Sequence, residues 1–116
     1  MPDKMKIRDI VKALDLKVIA GQKLLDREVT GAYAGDLMSD VLANANKGNI
    51  WITLQIHQNI IAVASSKELS GIIIINGRKP EEETLLKANE EKIPVMVSNL
   101  FTYEIAGRLY EMRIKR

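Results

Sequence analysis

Cysteine is absent, and with it disulfides, thiolate nucleophiles and cysteine metal ligands. Aromatic residues are scarce at 4%, so any core has to be built from aliphatic side chains. There is one histidine, His57, with no second histidine and no carboxylate at ligand spacing, so neither a metal site nor a cofactor is expected. A catalytic role for His57 needs a serine or acid partner that the sequence does not place, and the residue reads as bordering a helix. Charge of one sign is missing too: 17 basic and 15 acidic residues are mixed along the chain for a formal net charge of +2, which makes neither nucleic acid nor a membrane the expected partner. The basic residues near the ends, Lys4, Lys6, Arg8, Arg113, Lys115 and Arg116, read either as a patch or as solvated termini. No apolar run approaches the about 20 residues that span a bilayer, and the first residues lack a signal-like apolar stretch, so a cytoplasmic location is expected. Neither Gly-x-x-x-x-Gly-Lys-Ser/Thr nor Gly-x-Gly-x-x-Gly occurs, which removes the P-loop and the dinucleotide fingerprint.

What is present is ordinary globular composition, 47% hydrophobic and 28% charged, over residues 1–116, a length that fits one domain. Ile7, Ile10, Val11 and Leu14 recur at helical spacing behind Asp3 as a candidate cap. A short strand, Leu16 to Ala20, ends at Gly21, and Arg27 to Tyr33 reads as a second strand near an edge. Asp36 or Ser39 then caps a helix whose stripe is Leu37, Met38, Val41, Leu42 and Ala45, and Gly48 is the expected C-terminal glycine. Ile50 to Leu54 alternates as a strand, and Gln58 to Lys67 reads as a buried helix.

Gly71-Ile72-Ile73-Ile74-Ile75 has no alternation, the pattern of a central parallel strand covered on both faces. Pro80 at a first helical position opens a helix to about Lys92, with Glu81, Glu82 and Glu83 near the positive end of its dipole. Pro94 to Val97 is the next strand, and Asn99 or Thr102 caps a last helix with Ile105, Leu109 and Met112 on its inner face. Strand, helix and strand from Ile72 to Val97 form a βαβ unit, so the expected fold is one three-layer α/β domain with a mostly parallel sheet and helices on both faces.

In such sheets ligands bind beyond the carboxyl ends of the strands, where the next helix begins. That rule singles out Asn76, Gly77 and Arg78, with Lys79 beside them as a second phosphate-holding cation. Ser98 and Asn99 lie beyond the neighbouring strand, and Thr30-Gly31 offers backbone free of bulky side chains. Together these seven, Thr30, Gly31, Asn76, Gly77, Arg78, Ser98 and Asn99, are candidates to surround one cleft. Each has a structural reading as well: a strand and tight turn at Thr30-Gly31, an exposed turn at Gly77, a helix cap at Ser98-Asn99.

Asp26-Arg27 with Thr30-Gly31, then Gly35-Asp36-Leu37-Met38-Ser39-Asp40, Ala62-Val63-Ala64, the Ile72 to Gly77 strand and turn, and Ile93-Pro94-Val95 resemble, in that order, the DRTGG domain family. Here Glu28-Val29 interrupt the run that names the family, and Ala32 stands where a second glycine would. The resemblance implies a small α/β domain of the kind that accompanies phosphate acetyltransferases and CBS-containing pyrophosphatases and is similar to the N-terminal domain of HPr kinase. It also implies a regulatory or structural role, association in dimers, and no assigned catalytic residues. The expectation is therefore a non-catalytic regulatory or interaction module forming a homodimer, with a partner enzyme or regulatory protein. The alternative is a sensor of an adenine nucleotide or another phosphorylated metabolite at the strand ends. An enzyme would need a nucleophile and base that no spacing here supplies.

Overall fold

The computed structural model describes residues 4–112 and 114, so Asp3, Arg113, Lys115 and Arg116 lie outside the described residues. Five helices and five strands follow in the order α1 (Ile7–Leu14), β1 (Lys17–Ala20), β2 (Gly31–Ala34), α2 (Met38–Asn44), β3 (Asn49–Thr53), α3 (Asn59–Ser66), β4 (Gly71–Ile74), α4 (Glu82–Glu91), β5 (Val95–Val97) and α5 (Thr102–Glu111). The sheet order is β1-β5-β4-β3-β2. β2 to β5 are mutually parallel, and β1 runs antiparallel against β5 with Lys17 opposite Val97.

The isoleucine run sits where its lack of alternation places it. β4 is the third of five strands, and Ile72, Ile73 and Ile74 are each 0% exposed. Ile72 and Ile74 meet Val41, Ile60, Ile61, Ala64 and Ala88 from α2, α3 and α4 on one face. Ile73 and Ile75 meet Ile7, Ile10, Ile105 and Leu109 from α1 and α5 on the other. β3 divides likewise, with Ile50 and Ile52 toward α1 and α5 and Trp51 toward α2 and α3. Both faces are thus sealed by aliphatic packing, and removing apolar surface from water is the main force holding the layers together. Among the described residues no helix is long and apolar enough to cross a membrane.

The helix starts depart from expectation. No helix has a side-chain cap at its N-cap residue, which is Lys6, Leu37, Gln58, Glu81 and Phe101 for α1 to α5. The free amides at the start of α1 are met by loop backbone instead: Ile7 N–H donates to Arg27 O at 3.0 Å and Arg8 N–H to Leu25 O at 2.9 Å. That pairing also explains why the second strand does not begin at Arg27. Residues 27–29 are held by the Met5–Ile7 segment, with Val29 N–H on Met5 O at 2.8 Å, so only Gly31 onward joins the sheet. Pro80 precedes the N-cap of α4 and is not its first helical residue. α2 ends at Asn44 with Ala45 as its C-cap, three residues before Gly48, whose φ of +83° belongs to the turn into β3.

Candidate functional site

Because β2 to β5 are parallel, the loops after them gather at one end of the sheet, and β1, running the other way, brings Lys17 to that same end. The loops are tied together by polar groups that the sequence suggested as helix caps. The Asp36 carboxylate accepts from Thr53 Oγ1 and from Leu54 N–H, each at 2.8 Å, and the Gln55 side-chain amide donates to Asp36 O at 3.0 Å. The next loop is joined by Arg78, whose guanidinium donates to Leu54 O. Asn76 and Gly77 both take left-handed backbone, φ +59° and +60°. Their amides are already used, Asn76 N–H on Leu100 O at 2.9 Å and Gly77 N–H on Ser98 O at 2.8 Å. Ser98 is buried, and its hydroxyl accepts from Leu100 N–H at 3.0 Å.

Between this turn, the β1–β5 edge and α4 lies a cleft of about 460 Å3 lined by Lys17, Ile19, Gly77, Arg78, Lys79, Pro80, Leu85, Val97 and Asn99. Its charged lining is entirely cationic. Of the five candidates near it, Gly77, Arg78 and Asn99 face the cleft, whereas Asn76 and Ser98 build the turn behind it. A Cβ at Gly77 would stand 2.7 Å from Asn99 Oδ1, so the Asn99 side chain would have to move, and the left-handed backbone there disfavours side chains in any case.

Thr30 and Gly31 do not join that cleft. Gly31 opens β2, paired with Asn49 at the opening of β3, which places the pair at the amino end of the parallel strands, across the sheet from Gly77. There Thr30 Oγ1 donates to Lys47 O at 2.8 Å and lines a larger hollow of about 550 Å3 with Arg27, Glu28, Lys47, Gly48, Ser70, Glu91 and Lys92 among others. This end is cross-linked. Ser70 Oγ lies against Glu28 O and 2.9 Å from Gly48 O, Lys47 pairs with Glu68 at 3.5 Å, and Lys4 pairs with Glu28 at 3.7 Å. Burial lowers the Arg27 guanidinium from its ordinary value. The single expected cleft is therefore two hollows at opposite ends.

His57 is exposed, and its Nδ1 accepts from Asn59 N–H at 3.1 Å, so it closes the first turn of α3. Among the described residues no group of three or more histidine, cysteine or acidic side chains is arranged to hold a metal ion. The cleft residues that sequence reasoning missed are Lys17, Ile19, Pro80, Leu85 and Val97. Only the antiparallel pairing of β1 with β5 brings the first two to the cleft, and no local pattern carries that information. The same end also presents large apolar side chains to solvent: Leu37 (68% exposed), Leu54 (38%), Phe101 (56%) and Tyr103 (90%). The first three sit on the loops after β2, β3 and β5, and Tyr103 is in the first turn of α5.

Comparison with protein families finds that residues 9–112 match the model of the DRTGG domain. Comparison with curated proteins finds no match. Among solved structures the chain is similar to the CBS and DRTGG domains of the regulatory region of Clostridium perfringens pyrophosphatase, complexed with the activator diadenosine tetraphosphate, with a TM-score of 0.71 at 16% identity. The match covers 94% of this chain and 47% of that one, so the chain spans about half the length of the regulatory region it resembles.

Proposed function

The chain belongs to the DRTGG domain family, and from that premise we propose that it is a non-catalytic regulatory module that associates with a second copy of itself through the carboxyl end of its sheet. The observation that carries the reading is the apolar rim of Leu37, Leu54, Phe101 and Tyr103. Contiguous exposed apolar patches mark contact surfaces whereas singly scattered groups do not, and four of the seven large apolar side chains exposed among the described residues are at this end. The rim is also rigidly presented, since Asp36, Gln55 and Arg78 fix the loops that carry Leu37 and Leu54. Less ordering is then required on association. The likeness to one part of a pyrophosphatase regulatory region supports the same reading. Light scattering at micromolar concentration is expected to give twice the mass of 13.0 kDa. A double variant, Leu37→Lys with Phe101→Lys, which adds charge at the rim without supplying the acceptor that an N-cap lacks, is expected to run as a folded monomer. A wild-type monomer at all accessible concentrations defeats self-association.

A second reading is favoured by the cleft beside Gly77, whose charged lining is wholly cationic: the module senses a phosphorylated small molecule, an adenine nucleotide being one class. The neighbouring pyrophosphatase region holds a nucleotide activator, which supports this reading by analogy. A thermal-shift series with nucleotides tests it, because a ligand that binds only the folded state stabilises by about 2.7 kcal/mol at a hundredfold excess over Kd.

A further inference from the structure

We propose that the cleft between the β1–β5 edge and α4 is a site for a phosphate chain carrying a flat apolar ring, held by the side chains of Lys17, Arg78 and Lys79. The inference rests on the sensing reading above and names its site and ligand chemistry. Three cations line one concavity with no carboxylate in the lining. Among the described residues none of the three has an acidic partner, a state they share with most of the other lysines and arginines, so what sets them apart is that they line one concavity together. Like charges gathered without counter-charge repel one another, and an anion between them removes that cost.

The geometry also says how the anion would be held. The amides of Asn76, Gly77 and Arg78 donate to Leu100, Ser98 and Ile75 carbonyls, so the turn has no backbone nest to offer and recognition falls to side chains. Arg78 lines the cleft, and its guanidinium reaches toward the loop after β3, where one of its five N–H donors is taken by Leu54 O. Asn99 adds a neutral donor at the rim. The rest of the lining, Ile19, Pro80, Leu85 and Val97, is apolar and lies among the cations, Val97 directly opposite Lys17 in the sheet. Cationic groups beside apolar ones in about 460 Å3 suit a ligand that carries both a phosphate chain and an apolar ring, within the about 300–1,000 Å3 range of small-molecule sites. Three positive charges match an oligophosphate better than a single phosphate.

Isothermal titration of the full chain with ATP, AMP, inorganic tripolyphosphate and adenosine tests the proposal, alongside Lys17→Glu, Lys79→Glu and, as a control on the other face of the sheet, Lys12→Glu. All three lysines are exposed, so the variants are expected to keep the wild-type unfolding midpoint. The expected order is ATP tightest, then tripolyphosphate and AMP, with adenosine weakest. Each cleft reversal is expected to weaken ATP by about tenfold, the worth of one charge-assisted contact, and Lys12→Glu to change nothing. ATP binding that ignores both cleft reversals overturns the site and leaves sensing intact. No binding of ATP or tripolyphosphate overturns both. Tripolyphosphate binding as tightly as ATP overturns the role given to the apolar lining.

Discussion

The two ends of the parallel strands are built from similar parts and arranged to opposite effect. At the amino end many polar groups are spent on one another: Ser70 lies against Glu28 O and Gly48 O, Thr30 donates to Lys47 O, Lys47 and Lys4 are paired with glutamates, and Arg27 and Lys92, unpaired among the described residues, share their hollow with Glu28, Glu68 and Glu91. At the carboxyl end the loops are fixed just as firmly through Asp36 and Arg78. Their outward side chains, though, are left over: three cations without acidic partners and four exposed apolar groups. One end closes the fold and the other is available for contact. The contrast follows from parallel topology, which sends the starts of α2 to α5 to one end and the finish of α2 to α4 to the other.

Variants can test that contrast, beginning with one that spares neither end. Ile73→Ala removes a fully buried side chain from the central strand, and chemical denaturation is expected to show a loss of about 2–5 kcal/mol with both ends affected alike. Two of the three left-handed glycines among the described residues, Gly48 and Gly77, separate the ends. A Cβ at Gly48 would stand 2.7 Å from Thr30 Cγ2 and Oγ1, on a branched side chain already held by Lys47 O, whereas at Gly77 it meets only the tip of the Asn99 side chain. Gly48→Ala is therefore expected to cost about 2–3 kcal/mol and Gly77→Ala about 1–2 kcal/mol by thermal or chemical unfolding. Equal costs would mean that the amino end is no more tightly braced. Ser70→Ala removes a buried hydroxyl shared between two carbonyls, and the expected loss is about 1–2 kcal/mol with no effect on self-association. Smallest of all, Leu37→Lys is expected to move the stability of the isolated fold by less than about 0.5 kcal/mol while shifting the dimer equilibrium, since the side chain is largely in water and Lys adds no cap acceptor.

The order of elements and the burial of Ile72 to Ile75 were legible in the sequence because they rest on local period and length. The helix caps were not. Asp36 has the residue type of a cap, but its carboxylate reaches Thr53 and Leu54 across the sheet, and a one-dimensional reading cannot tell a local acceptor from a distant one. Thr30-Gly31 was misplaced for a related reason. The Met5–Ile7 segment captures residues 27–29 and delays the strand to Gly31, so the pair falls at the far end from Gly77. Lys17 escaped notice because its place depends on β1 running antiparallel to β5, a pairing recorded nowhere in residues 16–20. That Gly77, Arg78, Lys79 and Asn99 would lie together beyond the strand ends was legible because the strand-end rule needs only the positions of β4 and β5, and the isoleucine run marks the first of these.

Amide hydrogen exchange, followed from dilute to concentrated protein, tests the asymmetry of the two ends most directly. The expected result is added protection on concentration in residues 35–37, 54–57 and 99–103, with residues 46–48 and 68–70 unchanged. Protection that appears instead around 46–48 and 68–70, or in neither region while the mass doubles, would contradict the assignment of the carboxyl end as the contact face.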